Sequence, residues 1–309
     1  MDRLRRQAQG KQNLDQKRIA QLKHCGGITA LFLFFLFLLN PVKAQESNLA
    51  ILNGGVQKSE DAPFVSSEYR FMPGDYIHFT FHVAGFTVQS DKEKEVRKIA
   101  LSYLVTVEDL KGVPLAPSDT GSIETELSSE DKSWTPKRRS SFLLPSFVAS
   151  GEFQVRVVVK DLLAKTEVSK SFPFHIGGVV VAPTTSVTIQ NLQFFRREED
   201  RESLEVPAYA PGDTVNARFN FTGFQLGSEN TYHLSYGILV RRPDGKPYLQ
   251  QPNAAELQAG SYYPAQYLPG AANITTSANS SKGQYTVIIT VHDLIGKTSH
   301  EVKTAFSLE

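Results

Sequence analysis

One cysteine, one tryptophan and two methionines in 309 residues leave the chain short of several common chemistries. The single cysteine, Cys25, lies in the first 44 residues. A mature chain without that segment has no disulfide, no thiol nucleophile and no thiolate metal site, so its stability has to come from apolar cores. The sequence also lacks an HExxH helix, a G-x-S-x-G elbow and a glycine-rich phosphate loop. No catalytic residue, metal ligand or cofactor-binding residue is therefore expected, and the chain reads as a non-enzyme. Excess positive charge is missing too. The full chain carries 33 Lys and Arg against 32 Asp and Glu, and residues 1–44 take 8 of the former and 2 of the latter. The remaining 25 against 30 leave a mildly acidic protein, without the basic face that nucleic acid requires.

Long apolar runs are equally scarce. The one present, Ile28 to Leu39, is 12 residues long, against the roughly 18 to 20 that span a bilayer. It follows Arg3, Arg5, Arg6, Lys11, Lys17, Arg18 and Lys23 and precedes Val42-Lys43-Ala44, which places small residues where a signal peptidase reads. This is the pattern of a secretory signal peptide cut after Ala44, with secreted, periplasmic or cell-surface localisation. Only an uncleaved segment would attach the chain to a membrane.

What the sequence does contain, it says twice. YRFMPGDYIHFTFHVAGF at Tyr69 to Phe86 returns as YAPGDTVNARFNFTGF at Tyr209 to Phe224. KIALSYLVTVEDLKGVPL at Lys98 to Leu115 returns at Tyr232 to Leu249, and GEFQVRVVVKDLLAKT at Gly151 to Thr166 returns as GQYTVIITVHDLIGKT at Gly283 to Thr298. Three matches in the same order make a duplicated domain rather than a short solenoid repeat. Each matched stretch alternates apolar and polar residues. Ile77, Phe79, Phe81 and Val83 set against His78, Thr80 and His82 is one case, and Val215, Ala217, Phe219 and Phe221 set against Asn216, Arg218 and Asn220 is its counterpart. A period of two with one wet face predicts antiparallel strands. Turn formers such as Pro73-Gly74-Asp75 and Pro211-Gly212-Asp213 separate them, and no amphipathic helix follows the signal. The expected fold class is all-β: two tandem antiparallel β-sandwich domains, residues 45–176 and 186–309, joined by a linker at 177–185, with about seven strands each.

With their Pro-Gly-Asp entries and the late strands GEFQVRVVVKD and GQYTVIITVHD, both repeats resemble the cysteine-free Ig-like or fibronectin-III-like domains of exported bacterial proteins. The resemblance covers nearly all of the mature chain and is specific for fold. It implies an adhesin, a spacer, a receptor part or an enzyme appendage, and fold does not choose among these. The reading that follows is a non-catalytic binding or spacer module acting on a protein or polysaccharide of the cell envelope. The alternatives are a structural subunit of an envelope assembly and a carbohydrate-binding accessory module of an enzyme system.

Residues shared by both copies serve the scaffold. Asp161 and Asp293, and likewise Asp75 and Asp213, are expected to hold turns rather than calcium. His78 and His82 stand about 13 Å apart along a strand, too far to share an ion. Specific function therefore belongs to unshared residues. Ala116 to Ser141 and Gln250 to Lys282 read as long polar insertions, the first with Trp134 and the second with Tyr262, Tyr263 and Tyr267. Aromatic rings on polar loops suit sugar stacking or protein contact, so these four form the candidate binding surface; the competing reading has them capping their own sandwich. Sequons stand at Asn220, Asn273 and Asn279, and would carry glycans only in a eukaryotic secretory pathway.

Overall fold

The computed structural model describes residues 48–91, 96–128, 131 and 133–309. The expected signal peptide and its cleavage site lie outside these residues. Sandwich 1 contains β1 (Ala50–Gln57), β2 (Arg70–Phe71), β3 (Tyr76–Ala84), β4 (Gln89–Asp91), β5 (Val96–Asp109), β6 (Asp119–Leu127), β7 (Lys137–Leu143), β8 (Gly151–Asp161) and β9 (Thr166–Ile176). Sandwich 2 contains β10 (Thr188–Phe195), β11 (Ala208–Tyr209), β12 (Thr214–Thr222), β13 (Tyr232–Arg241), β14 (Pro247–Ala259), β15 (Leu268–Thr275), β16 (Gly283–Asp293) and β17 (Thr298–Leu308). No helix among the described residues is long and apolar enough to cross a membrane.

Each sandwich sets a three-stranded sheet against a larger one. The orders are β1-β3-β7 facing β2-β9-β8-β5-β4, with β6 also on β5, and β10-β12-β15 facing β11-β17-β16-β13-β14. All pairings are antiparallel except the two-residue contacts β2–β9 and β11–β17, which are parallel. Apart from β4, which has no counterpart in sandwich 2, the two orders match, with β14 in the place of β6, so the duplication read from sequence extends to topology. Smaller details recur with it. β1 and β10 bulge at the same place, where Asn53 (φ 46°) and Asn191 (φ 54°) take the left-handed conformation that Asn tolerates.

The alternation works as expected on the core side. Ile77, Phe79, Phe81 and Val83 are buried in one core, and Val215, Ala217, Phe219 and Phe221 in the other. Pairs of sequence-equivalent carboxylates hold the turns. Asp161 accepts from the backbone N–H of Thr87, Leu163 and Ala164 at 2.6, 2.9 and 3.0 Å, and Asp293 from those of Gln225, Ile295 and Gly296 at 2.7, 3.1 and 2.9 Å. Both are 2% exposed. Burial pushes the Asp161 carboxyl up, but the donors from Ala164, Thr87 and Leu163 outweigh it and hold the group below the usual range. Asp75 and Asp213 accept from the N–H of Met72 (2.7 Å) and Ala210 (2.9 Å) in the same way.

The two expected insertions are corrected by the structure. Ala116 to Ser141 contains β6 and most of β7, and Gln250 to Lys282 contains most of β14 and all of β15. These strands form sheet margins, where one face or both stay wet and the apolar alternation that marks a strand fades.

Candidate functional site

Sandwich 1 meets sandwich 2 end to end, and the contact uses residues that the two copies do not share. From the corner between β7 and β8, Phe147 packs against the core of sandwich 2, with its ring 6.2 Å from that of Tyr267. From the segment between β14 and β15, Tyr263 enters the core of sandwich 1 and is 3% exposed. The rings are thus exchanged in both directions. Around them, the Gln266 backbone N–H donates to the Phe147 carbonyl (2.9 Å) and the Ala149 N–H donates to Gln266 Oε1 (2.6 Å). Gln266 Nε2 donates to the Tyr263 hydroxyl (3.1 Å), which donates to Asp109 Oδ2 (3.2 Å). Burial, then the Asp109 charge and its hydrogen bond, push the Tyr263 phenol far above its ordinary value. The linker is tied down as well: Ser150 N–H donates to the Val179 carbonyl, and the Gln190 amide pairs with both backbone groups of Ala182 (3.0 and 2.9 Å).

Beside this junction lies a cavity of about 560 Å³ with a mostly apolar lining, including Leu115, Phe142, Leu143, Pro145, Phe147 and Tyr262. Leu143 is 51% exposed and Tyr262 56% exposed at its mouth. Among the described residues β7 pairs with β3 alone, which leaves its outer backbone edge without a strand partner where Ser141 to Leu143 border the cavity. Asn230 Nδ2 donates to the Tyr262 carbonyl (2.8 Å), which fixes the backbone that presents the exposed ring.

The four rings singled out from sequence do not form one surface. Tyr263 and Tyr267, 3% and 7% exposed, are parts of the junction, because the end of sandwich 1 covers them. Trp134 sits at the opposite end of sandwich 1, edge-on to Phe86 at 6.3 Å and 38% exposed. Only Tyr262 remains displayed beside the cavity. Phe147 is the functional-looking residue that sequence reasoning missed. The signal for it was present: Leu143-Leu144-Pro145-Ser146-Phe147-Val148 stands at the same spacing before Gly151 as Thr275-Thr276-Ser277-Ala278-Asn279-Ser280 before Gly283. His78 bonds Ser141 (Nδ1 to Oγ, 2.8 Å), and among the described residues no group of three or more His, Cys, Asp or Glu is gathered to hold a metal.

No protein-family model matches the sequence, and no curated protein matches it. Among solved structures, the chain is similar to the C-terminal domain of the Streptococcus agalactiae AgI/II polypeptide BspA (9% identity, TM-score 0.27, 82% of this chain and 99% of that one). It is similar also to the C-terminal domain of the Streptococcus pyogenes antigen I/II-family protein AspA (10%, TM-score 0.28, 82% and 98%). A family 123 glycoside hydrolase from Clostridium perfringens gives 11% identity and a TM-score of 0.29, over 40% of this chain and 27% of that one. Likeness at this level carries no argument about activity. The sandwich architecture rests on the strand orders above.

Proposed function

We propose that the chain is an exported, non-catalytic binding module of the cell envelope, in which domains 45–176 and 186–309 act as one rigid body and hold a protein partner in the apolar cavity at their junction. The observation that carries this reading is the cavity itself. Apolar walls bordered by a free strand edge suit an extended segment that adds to β7 and buries its side chains beside Leu143 and Tyr262. The junction keeps the walls in place, so binding would cost little ordering. A photo-crosslinking amino acid at Tyr262 should trap one discrete adduct in envelopes of the native host, and the same group at Val206, 71% exposed elsewhere on sandwich 2, should not. Adducts of equal yield at both positions, or none at Tyr262, would remove the cavity as the binding site.

A further inference from the structure

A second concave site lies on sandwich 2, on the outer face of β10-β12-β15. Gln193, Arg218 and Asn220, the rim residues Pro269 and Ala271, and Val180 of the linker line a groove of about 550 Å³. Alternation directs the polar members outward, since Ala217, Phe219 and Phe221 fill the core below. The side-chain amides of Gln193 and Asn220 have no hydrogen-bond partner within the described residues, so each offers a donor and an acceptor. Arg218 is held by donating from Nη2 to the Asp200 carbonyl and by stacking 3.4 Å above the Phe195 ring centroid. Its Nε is buried without a partner, and none of the ion pairs among the described residues includes it. A fixed guanidinium without a counter-ion, flanked by free amides, is an arrangement the fold does not need.

Sandwich 1 shows what the scaffold alone requires. By strand register, Gln193, Arg218, Asn220 and Ala271 correspond to Gly55, Thr80, His82 and Arg139. There the chain after β1 folds back over the sheet. Phe64 bridges to Gln57, the Thr80 hydroxyl donates to Gln57 Oε1 (2.7 Å), and Arg139 pairs with Asp61 (2.9 Å). That face keeps only a smaller cavity of about 250 Å³, and its Arg139 is neutralised. On sandwich 2 an arginine, Arg218, stands in place of Thr80 with no ion pair among the described residues, and Ala271 stands in place of Arg139.

The geometry points to an acidic polysaccharide as the occupant of this groove. A sugar carboxylate meets the Arg218 guanidinium in charge-assisted hydrogen bonds, and ring hydroxyls exchange hydrogen bonds with Gln193 and Asn220. The C–H faces of the sugars rest on Val180, Pro269 and Ala271. Neutral sugars leave the cation unanswered. This site is separate from the junction cavity and stands or falls without it.

The test is calorimetric titration of the mature chain with hexasaccharides of alginate and of polygalacturonate, and with maltohexaose as the neutral control. At least one uronate should bind, at least tenfold tighter than maltohexaose, and weaken as salt rises. Asn220→Ala and Gln193→Ala should each weaken binding several-fold at unchanged melting temperature. Arg218→Gln should abolish it. Because Arg218 also packs on Phe195, Ala271→Glu provides a second variant that breaks no hydrogen bond and sets a carboxylate at the rim; it too should abolish binding. Millimolar uronate of both kinds leaving no heat, maltohexaose binding equally well, or uronate binding that survives Ala271→Glu would each overturn the proposal.

Discussion

The ends of the two sandwiches that point the same way differ more than any strand does. Leu143, Phe147 and Val148 at the end of sandwich 1 stand where sandwich 2 has Thr275, Asn279 and Ser280. The first end is covered by its neighbour; the second is a polar turn in which the Ser277 backbone N–H donates to Ser280 Oγ (3.1 Å) and the Tyr248 hydroxyl (3.0 Å). One fold thus presents a covered end or a polar one, according to a handful of side chains at one corner. The bulges of β1 and β10 and the turn carboxylates are left untouched.

Breaking the covered end should have the largest effect. Phe147→Ala leaves a void in the junction at a cost of about 3 to 5 kcal/mol, and the single calorimetric transition should split into two. Asn279→Ala, at the corresponding place in sandwich 2, should stay within about 0.5 kcal/mol and unfold in one transition. A single transition in Phe147→Ala would mean that the sandwiches are not coupled through the exchanged rings. The same contact has an alkaline signature. Tyr263 keeps its proton in the folded state at pH values where the unfolded chain ionises at about 10. The unfolded state then binds fewer protons, so stability is full below pH 10 and falls above it. Tyr263→Phe should flatten that fall in a series of melts from pH 9 to 11.

Next come the turn carboxylates. Asp161→Ala and Asp293→Ala each strip three part-buried N–H groups of their acceptor, and each should cost about 2 to 4 kcal/mol, comparable in the two sandwiches. Unequal losses in chemical denaturation would show that the repeats no longer share this device. Acid sharpens the point for Asp161. With its folded value depressed, its contribution is present above the unfolded value of about 3.9 and drains away as pH falls below that. The smallest effect concerns Tyr285, at the start of β16, whose hydroxyl donates to the Ser281 carbonyl at 2.9 Å across the corner. Sandwich 1 has Phe153 there. Tyr285→Phe should cost about 1 kcal/mol, a difference of roughly 2 to 4 °C in melting temperature.

Much of this fold was legible because its central strands have one dry face. β3, β5 and β8 and their counterparts β12, β13 and β16 all alternate with a period of two. The margins were not legible. In β6 only Ile123 and Leu127 turn inward among the residues DTGSIETEL. β15 buries Gly270 and Ala272 beneath the Phe219 ring, where a larger side chain at Gly270 would collide with it. Small residues of that kind look like loop in a sequence, because what they fit is a ring contributed from 51 residues earlier. The site failed for the same reason. A tyrosine on a polar segment looks available for binding until the covering surface is known, and the cover of Tyr263 and Tyr267 is supplied by a corner more than a hundred positions away in the chain. Charge balance was legible in total but not in place: counting residues cannot reveal that Asp61 pairs with Arg139 while no ion pair among the described residues includes Arg218.

Trp134, the sole tryptophan, makes the molecule an asymmetric optical probe. Its indole is partly wet and touches Phe86 at the end of sandwich 1 remote from the junction. Emission excited selectively through indole therefore follows the solvation of that one tip. In Phe147→Ala, separate melting of sandwich 2 would pass unseen in such a trace, whereas anything that settles on the tip would change its colour directly.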